Sequence, residues 1–137
     1  MTFFKRQNMG RVYVIKAVLS ADTTIHKIGM VHSARSVDRM MEVLRSWFTQ
    51  YRFVPYTELR LDMEFPYPRE LEQHMHKILA HQQFIPSKKV DGGTELFTDI
   101  DEFRVIQYMR MCNSDLFAKP LALTPADYKH LGQLLSP

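Results

Sequence analysis

The sequence predicts an α+β domain: a small three-stranded antiparallel sheet flanked by helices, with further helices at the C-terminal end. Three observations carry this. Arg11–Leu19 and Thr24–Met30 are rich in β-branched and apolar residues and are joined by the short polar run Ser20–Thr23, the pattern of a hairpin. Thr57–Phe65 alternates polar and apolar residues, as a half-buried strand does. The intervening and following segments carry apolar residues at helical spacing.

In chain order, residues 1–10 read as a lead-in. The first strand, Arg11–Leu19, is apolar enough to be buried on both faces for much of its length. In the second, Ile25 and Lys27 fall on one face and His26 and Ile28 on the other. Ser36 is placed to cap a helix that runs to about Tyr51, with Val37, Met40, Met41, Leu44, Trp47 and Phe48 as its apolar stripe. Pro66 and Pro68 end the third strand, and Pro68 is suited to open a helix from about Arg69 to Gln82, buried through Leu71, Met75, Ile78 and Leu79. Phe84 to Gly93 reads as a loop and Glu95-Leu96-Phe97 as a short extended piece. Thr98 or Asp99 can cap a helix over about Ile100–Met111. Asn113-Ser114-Asp115 interrupts it, and Thr124-Pro125 caps a last helix carrying Tyr128, Leu131, Leu134 and Leu135.

Composition narrows the class. The chain has 137 residues, 45% hydrophobic and 24% charged, which suits one domain with a real core. The lone cysteine, Cys112, rules out an internal disulfide, fits a reducing cytoplasm, and reads as a small buried apolar residue. The Met1–Arg6 start resembles neither a signal peptide nor a membrane span, and no stretch reaches about 18 uninterrupted apolar residues. A net charge of +3 permits a polyanionic partner without demanding one.

Phosphodiester cleavage needs a proton acceptor for water, positive charge at the phosphate, help for the leaving oxygen and an anchored backbone. Candidates for each occur here. Tyr13 lies mid-strand and points opposite to Val12 and Val14. Lys27 lies on the neighbouring strand and can face the same side. Gly29 can admit a close approach or simply turn the chain. Arg39, on the first helical turn, offers a planar fork to phosphate, with Arg35 and Arg45 as rivals. Glu72 and His76 are four residues apart on one helix face, where a carboxylate can hold a hard cation. His74, His76 and His81 lack the accompanying cysteines or HExxH run of a zinc site. Glu95, after the Gly92-Gly93 turn, is either a second site acid or an ordinary exposed residue.

These residues resemble the motifs of the GIY-YIG nucleases. Tyr13 in Val-Tyr-Val, then Lys27-Ile28-Gly29-Met30, then Arg39 on the following helix, look most like the phage-type branch whose second motif reads KIG. Glu70–Lys77 resembles that branch's helix with a glutamate and, four residues on, a histidine, and Thr94–Phe97 resembles its terminal acid-x-Phe motif. The match covers about Arg11 to Phe103. The first motif departs from the family, reading Arg-Val-Tyr for Gly-Ile-Tyr, and His26 stands where the branch often has Tyr.

The resemblance implies a nuclease domain over 11–103 with a C-terminal helical extension, 104–137, packed on it. It implies catalytic roles for Tyr13 (general base or water-orienting group), Lys27 (water activation), Arg39 (phosphate charge) and His76. Glu72 and Glu95 would form the metal site, taking Mg²⁺ or Mn²⁺. The expected activity is metal-dependent hydrolysis of double-stranded DNA, nicking one strand per active site, by a monomer or weak homodimer with no membrane partner. The expected setting is the bacterial cytoplasm, in phage or mobile-element biology. The alternative is a non-catalytic DNA-binding or regulatory module on the same fold. Arg104, Arg110, Lys119 and Lys129 can supply phosphate contacts, or their segment can serve packing.

Overall fold

The computed structural model describes residues 9–32, 35–112 and 123–137. Four strands and four α-helices follow one another as β1 (Gly10–Val18), β2 (Thr24–Val31), α1 (Ser36–Tyr51), β3 (Tyr56–Phe65), α2 (Pro68–Ile78), β4 (Leu96–Thr98), α3 (Glu102–Met111) and α4 (Pro125–Leu134). The sheet is antiparallel in the order β3-β1-β2-β4. The α+β class therefore holds, but the sheet has four strands where three were expected. The short piece around Leu96 pairs with the outer edge of β2, from Ile25↔Thr98 to Lys27↔Leu96. Three residues are too few for a periodic signal, and only the free backbone edge of β2 reveals the pairing.

The sheet separates two packed layers. On one face Tyr13, Ile15 and Val31 cluster with Met40 of α1, while Ala17, Ile25 and Leu96 cluster with Trp47. On the other, Val12, Val14, Ile28 and Phe97 pack with Leu71, Met75 and Ile78 of α2, Val105 and Met109 of α3, and Leu135 after α4. The C-terminal helices thus share the main core. Cys112 is buried there as a free thiol.

Register explains one departure from plain alternation. Val14 pairs with Leu61, but Ile15 pairs with Leu59, so Arg60 is an extra residue in β3. This bulge sends Leu59 to the Tyr13 face and Leu61 to the opposite core. Arg60 itself turns to Glu102 on α3, its Nε donating at 2.8 Å.

The helices begin and end close to expectation, with local corrections. Arg35, not Ser36, is the N-cap of α1 and makes no side-chain cap bond. The Ser36 hydroxyl instead donates to Asp62 Oδ1 at 2.6 Å, and the same oxygen accepts from Arg11 Nε at 2.7 Å. Val43 and Trp47 are the buried apolar residues of α1, whereas Met41 and Phe48, expected in the stripe, are exposed. Pro68 opens α2, which stops at Ile78 before a 3-10 turn, Ala80–Gln82. Asp101, rather than Thr98 or Asp99, caps α3 by accepting from the Arg104 amide at 3.1 Å. Asp99 has a positive φ of 56°, which is not the extended backbone of a cap. Thr124 and Asp127 complete a reciprocal capping box at α4. The expected break at 113–115, Lys119 and most of the lead-in lie outside the described residues.

Candidate functional site

Tyr13 and Lys27 meet because of Gly29. In the β1–β2 ladder Tyr13 stands opposite Gly29, and Lys27 opposite Ile15. All three sit on the α1 face, so the phenol fills the space that Gly29 leaves empty and reaches the lysine two residues along β2. Lys27 Nζ donates to Tyr13 Oη at 2.8 Å and lies 4.9 Å from the ring centroid. A Cβ on Gly29 would stand 2.5 Å from Tyr13 Oη and 2.7 Å from Lys27 Nζ. Gly92, at φ +70°, does the same for the stem of Lys27, since a Cβ there would fall 2.5 Å from Cε.

Both groups are deeply buried, Tyr13 at 1% and Lys27 at 3% relative exposure. A buried ammonium needs a partner, and Lys27 has one in Glu95, to which it also donates. Glu95 is held by the backbone. Its amide donates to the Gly92 carbonyl at 3.0 Å, and its carbonyl accepts from the Ile28 amide at 3.2 Å, one step beyond the last β2–β4 pair.

Glu72 completes the chain of contacts from α2. Its carboxyl lies close to that of Glu95, and its pKa is pushed up to about 7, first by burial and then by the Glu95 charge, with Lys27 opposing. His76, one turn further along α2, donates from Nε2 to the Ile28 carbonyl at 2.7 Å and packs its ring against Phe97. Its bond is to the backbone of β2 rather than to a side chain of the cluster. Together the Ile28 amide and carbonyl dock the Glu95 turn and α2 on the strand edge that β4 leaves uncovered.

Arg39 closes the site from α1. It is partly buried and its pKa is raised: burial works against the charge, but the hydrogen bond to Glu42 and the Tyr13 phenol outweigh it. Its Nη1 donates to Glu42 at 2.9 Å. The rivals lie elsewhere: Arg35 pairs with Asp38, and Arg45 is exposed further along the helix. The structure therefore brings Tyr13, Lys27, Arg39, Glu72 and Glu95 together, with His76 one turn along α2 from Glu72 and bonded to the β2 backbone. Among the described residues no three His, Cys, Asp or Glu side chains meet at one point, so the oxygen donors form a pair, Glu72 and Glu95. His74 hydrogen-bonds the Tyr108 hydroxyl at 2.6 Å, away from His76's partner.

Two supporting pairings were not read from the sequence. Asp62, opposite Tyr13 in β3, ties Arg11 and Ser36 together and so fixes the first turn of α1, one turn before Arg39. On the far face His26 donates from Nε2 to Glu102 at 2.9 Å, and burial lowers its pKa despite that carboxylate. Neither pairing has a local sequence signal, since the partners are 26 or more residues apart.

Comparison with known proteins finds no matching family model, no matching curated protein and no matching solved structure. Among the described residues no helix is long and apolar enough to cross a membrane.

Proposed function

We propose that the chain is a metal-dependent DNA endonuclease of the GIY-YIG type, nicking one strand per active site, in phage or mobile-element biology. One observation carries this reading. Tyr13, Lys27 and Glu95 form one run of hydrogen bonds, and the Glu72 carboxyl lies against Glu95 with Arg39 at the rim, the residues coming from separate segments of the chain.

The residues divide the chemistry. Arg39 binds the phosphate as charge builds on it. Tyr13 Oη, to which Lys27 donates, orients the attacking water, whose proton passes to solvent water as it attacks. Water oxygen bonds to phosphorus as the bond to the leaving oxygen breaks. Glu72 and Glu95 present only oxygen donors, which fits a hard divalent cation such as Mg²⁺ or Mn²⁺. Such an ion, when bound, supplies charge neutralisation at the leaving oxygen. Burial first, and then the Glu95 charge, raise the Glu72 pKa, and a bound cation would favour its ionised form.

The alternative, a DNA-binding or regulatory module without catalysis, draws on the same burial: Tyr13 and Lys27 are 1% and 3% exposed and satisfy each other. Supercoiled plasmid incubated with the protein and Mg²⁺, and in parallel with EDTA, separates the two. Metal-dependent relaxed plasmid supports the nuclease. A mobility shift without cutting supports the module.

A further inference from the structure

Four cations gather on a surface that the candidate site does not use. Arg45 lies in the C-terminal half of α1, Arg52 is its C-cap, and Lys88 and Lys89 lie in the loop after the 3-10 turn. The loop is fastened to the helix. The Lys88 amide donates to the Tyr51 hydroxyl at 2.7 Å, the Lys88 amine to the Gln50 carbonyl at 3.0 Å, and the Asp91 amide to the Ser46 hydroxyl at 2.9 Å. All four cations are exposed, and none forms an ion pair with a described residue. Arg11, Arg35, Arg39, Arg60 and Arg104 are ion-paired, and the other exposed cations that form no ion pair with a described residue, Arg69, Lys77, Arg110 and Lys129, are divided among α2, α3 and α4. The acids on this surface are Asp91 and Glu42, and Glu42 already pairs with Arg39. Fixing four uncompensated charges together costs repulsion that a polyanion would relieve.

The surface also has a direction. At one end α1 carries Arg39, and the loop runs on through Gly92 to Glu95, so both walls begin at the candidate site. At 1.5 Å per residue, Arg39 to Arg52 spans roughly 20 Å, or about six base pairs of duplex at 3.4 Å per step. We infer that this face of α1 and the 87–91 loop is a track for the phosphate backbone of duplex DNA beside the cleaved bond. The inference rests on the proposed nuclease activity for its orientation, and on charge complementarity for its partner.

The test compares two neutralised triples of equal charge change. Arg45→Gln/Arg52→Gln/Lys89→Gln removes the track; Lys88 is spared because its amine holds the end of α1. Lys77→Gln/Arg110→Gln/Lys129→Gln neutralises exposed cations of α2, α3 and α4, the last two being the C-terminal cations that are the rival phosphate contacts. Both should melt with the wild type. Binding is read by fluorescence anisotropy on a labelled 20-base-pair duplex in EDTA, over a salt series. The track triple should weaken binding about tenfold or more and reduce the salt slope by about 0.9 for each phosphate that is no longer neutralised. The control triple should change little. Equal weakening by both triples, or no duplex binding by the wild type, overturns the inference. If the track triple alone loses binding while the wild type never cuts DNA, the nuclease reading fails and the track stands.

Discussion

Lys27 Nζ hydrogen-bonds Tyr13 Oη at 2.8 Å through the space that Gly29 leaves open between two strands. The glycine is thus a structural requirement of the pair, not a turn. The other features of the site are arranged around this contact: Glu95 accepts from the amine, Glu72 faces Glu95, and Arg39 approaches the phenol from α1.

Gly29→Ala should therefore damage the pair while keeping the fold. Its Cβ must displace the phenol, the amine or both, at a cost of about 1–3 kcal/mol for overpacking. Urea denaturation should show that loss, and plasmid nicking should fall further than stability alone explains. Unchanged stability and nicking would mean that the two side chains have freedom the packing does not suggest.

Glu72 gives a pH prediction. Its folded-state pKa of about 7 lies above the ordinary 4.5, so between these values the folded chain holds more protons than the unfolded chain. Stability from this group is then greatest below pH 4.5 and is lost as pH rises to about 7. Glu72→Gln should melt higher than wild type at pH 8, with the gap closing toward pH 4.5. Mg²⁺ should raise the wild-type melting temperature at pH 8 and leave that of Glu72→Gln unchanged.

Asp62 should matter through Arg39. It accepts from Ser36 and Arg11 and anchors the start of a helix whose N-cap residue makes no side-chain bond. Ser36→Ala should cost about 1 kcal/mol for the lost hydrogen bond. Asp62→Ala should lower nicking in the wild-type background but add little to Arg39→Ala, since residues acting through one another are not additive. A full loss in both backgrounds would assign Asp62 to stability alone.

His76 is expected to behave as a strut. Its ring donates to the Ile28 carbonyl, so His76→Ala should destabilise the chain by about 1–3 kcal/mol, chiefly by leaving that carbonyl unpaired. Under conditions where the variant is fully folded, its nicking rate should stay within about tenfold of wild type, smaller than the loss a general acid or base gives. A loss of a thousandfold would return His76 to the chemistry.

Much of this was legible in the sequence, and what was not has identifiable physical causes. Strand alternation places Ile25 and Lys27 on one face and sets Tyr13 against Val12 and Val14, which is why the phenol and amine meet. The apolar stripe of α2 is buried as its spacing predicts. The fourth strand was missed because Leu96–Thr98 is defined by the vacant edge of β2 rather than by its own pattern. The bulge at Arg60 was missed because Leu59 and Leu61 share a parity in sequence that the ladder breaks. Met41 and Phe48 were assigned to the core because helical spacing alone does not set how far the buried face extends. The Ser36–Asp62 and His26–Glu102 bonds join residues far apart in the chain, where local patterns carry no information.

Whether Glu72 holds a catalytic cation is decided by nicking of supercoiled plasmid by wild type and Glu72→Ala, with duplex affinity measured on the same preparations. The wild type should nick only with Mg²⁺ present. Glu72→Ala should lose nicking by about a hundredfold or more and keep its affinity within a few fold, because binding does not need the acid. Cutting by Glu72→Ala at the wild-type rate would contradict the metal-dependent nuclease reading.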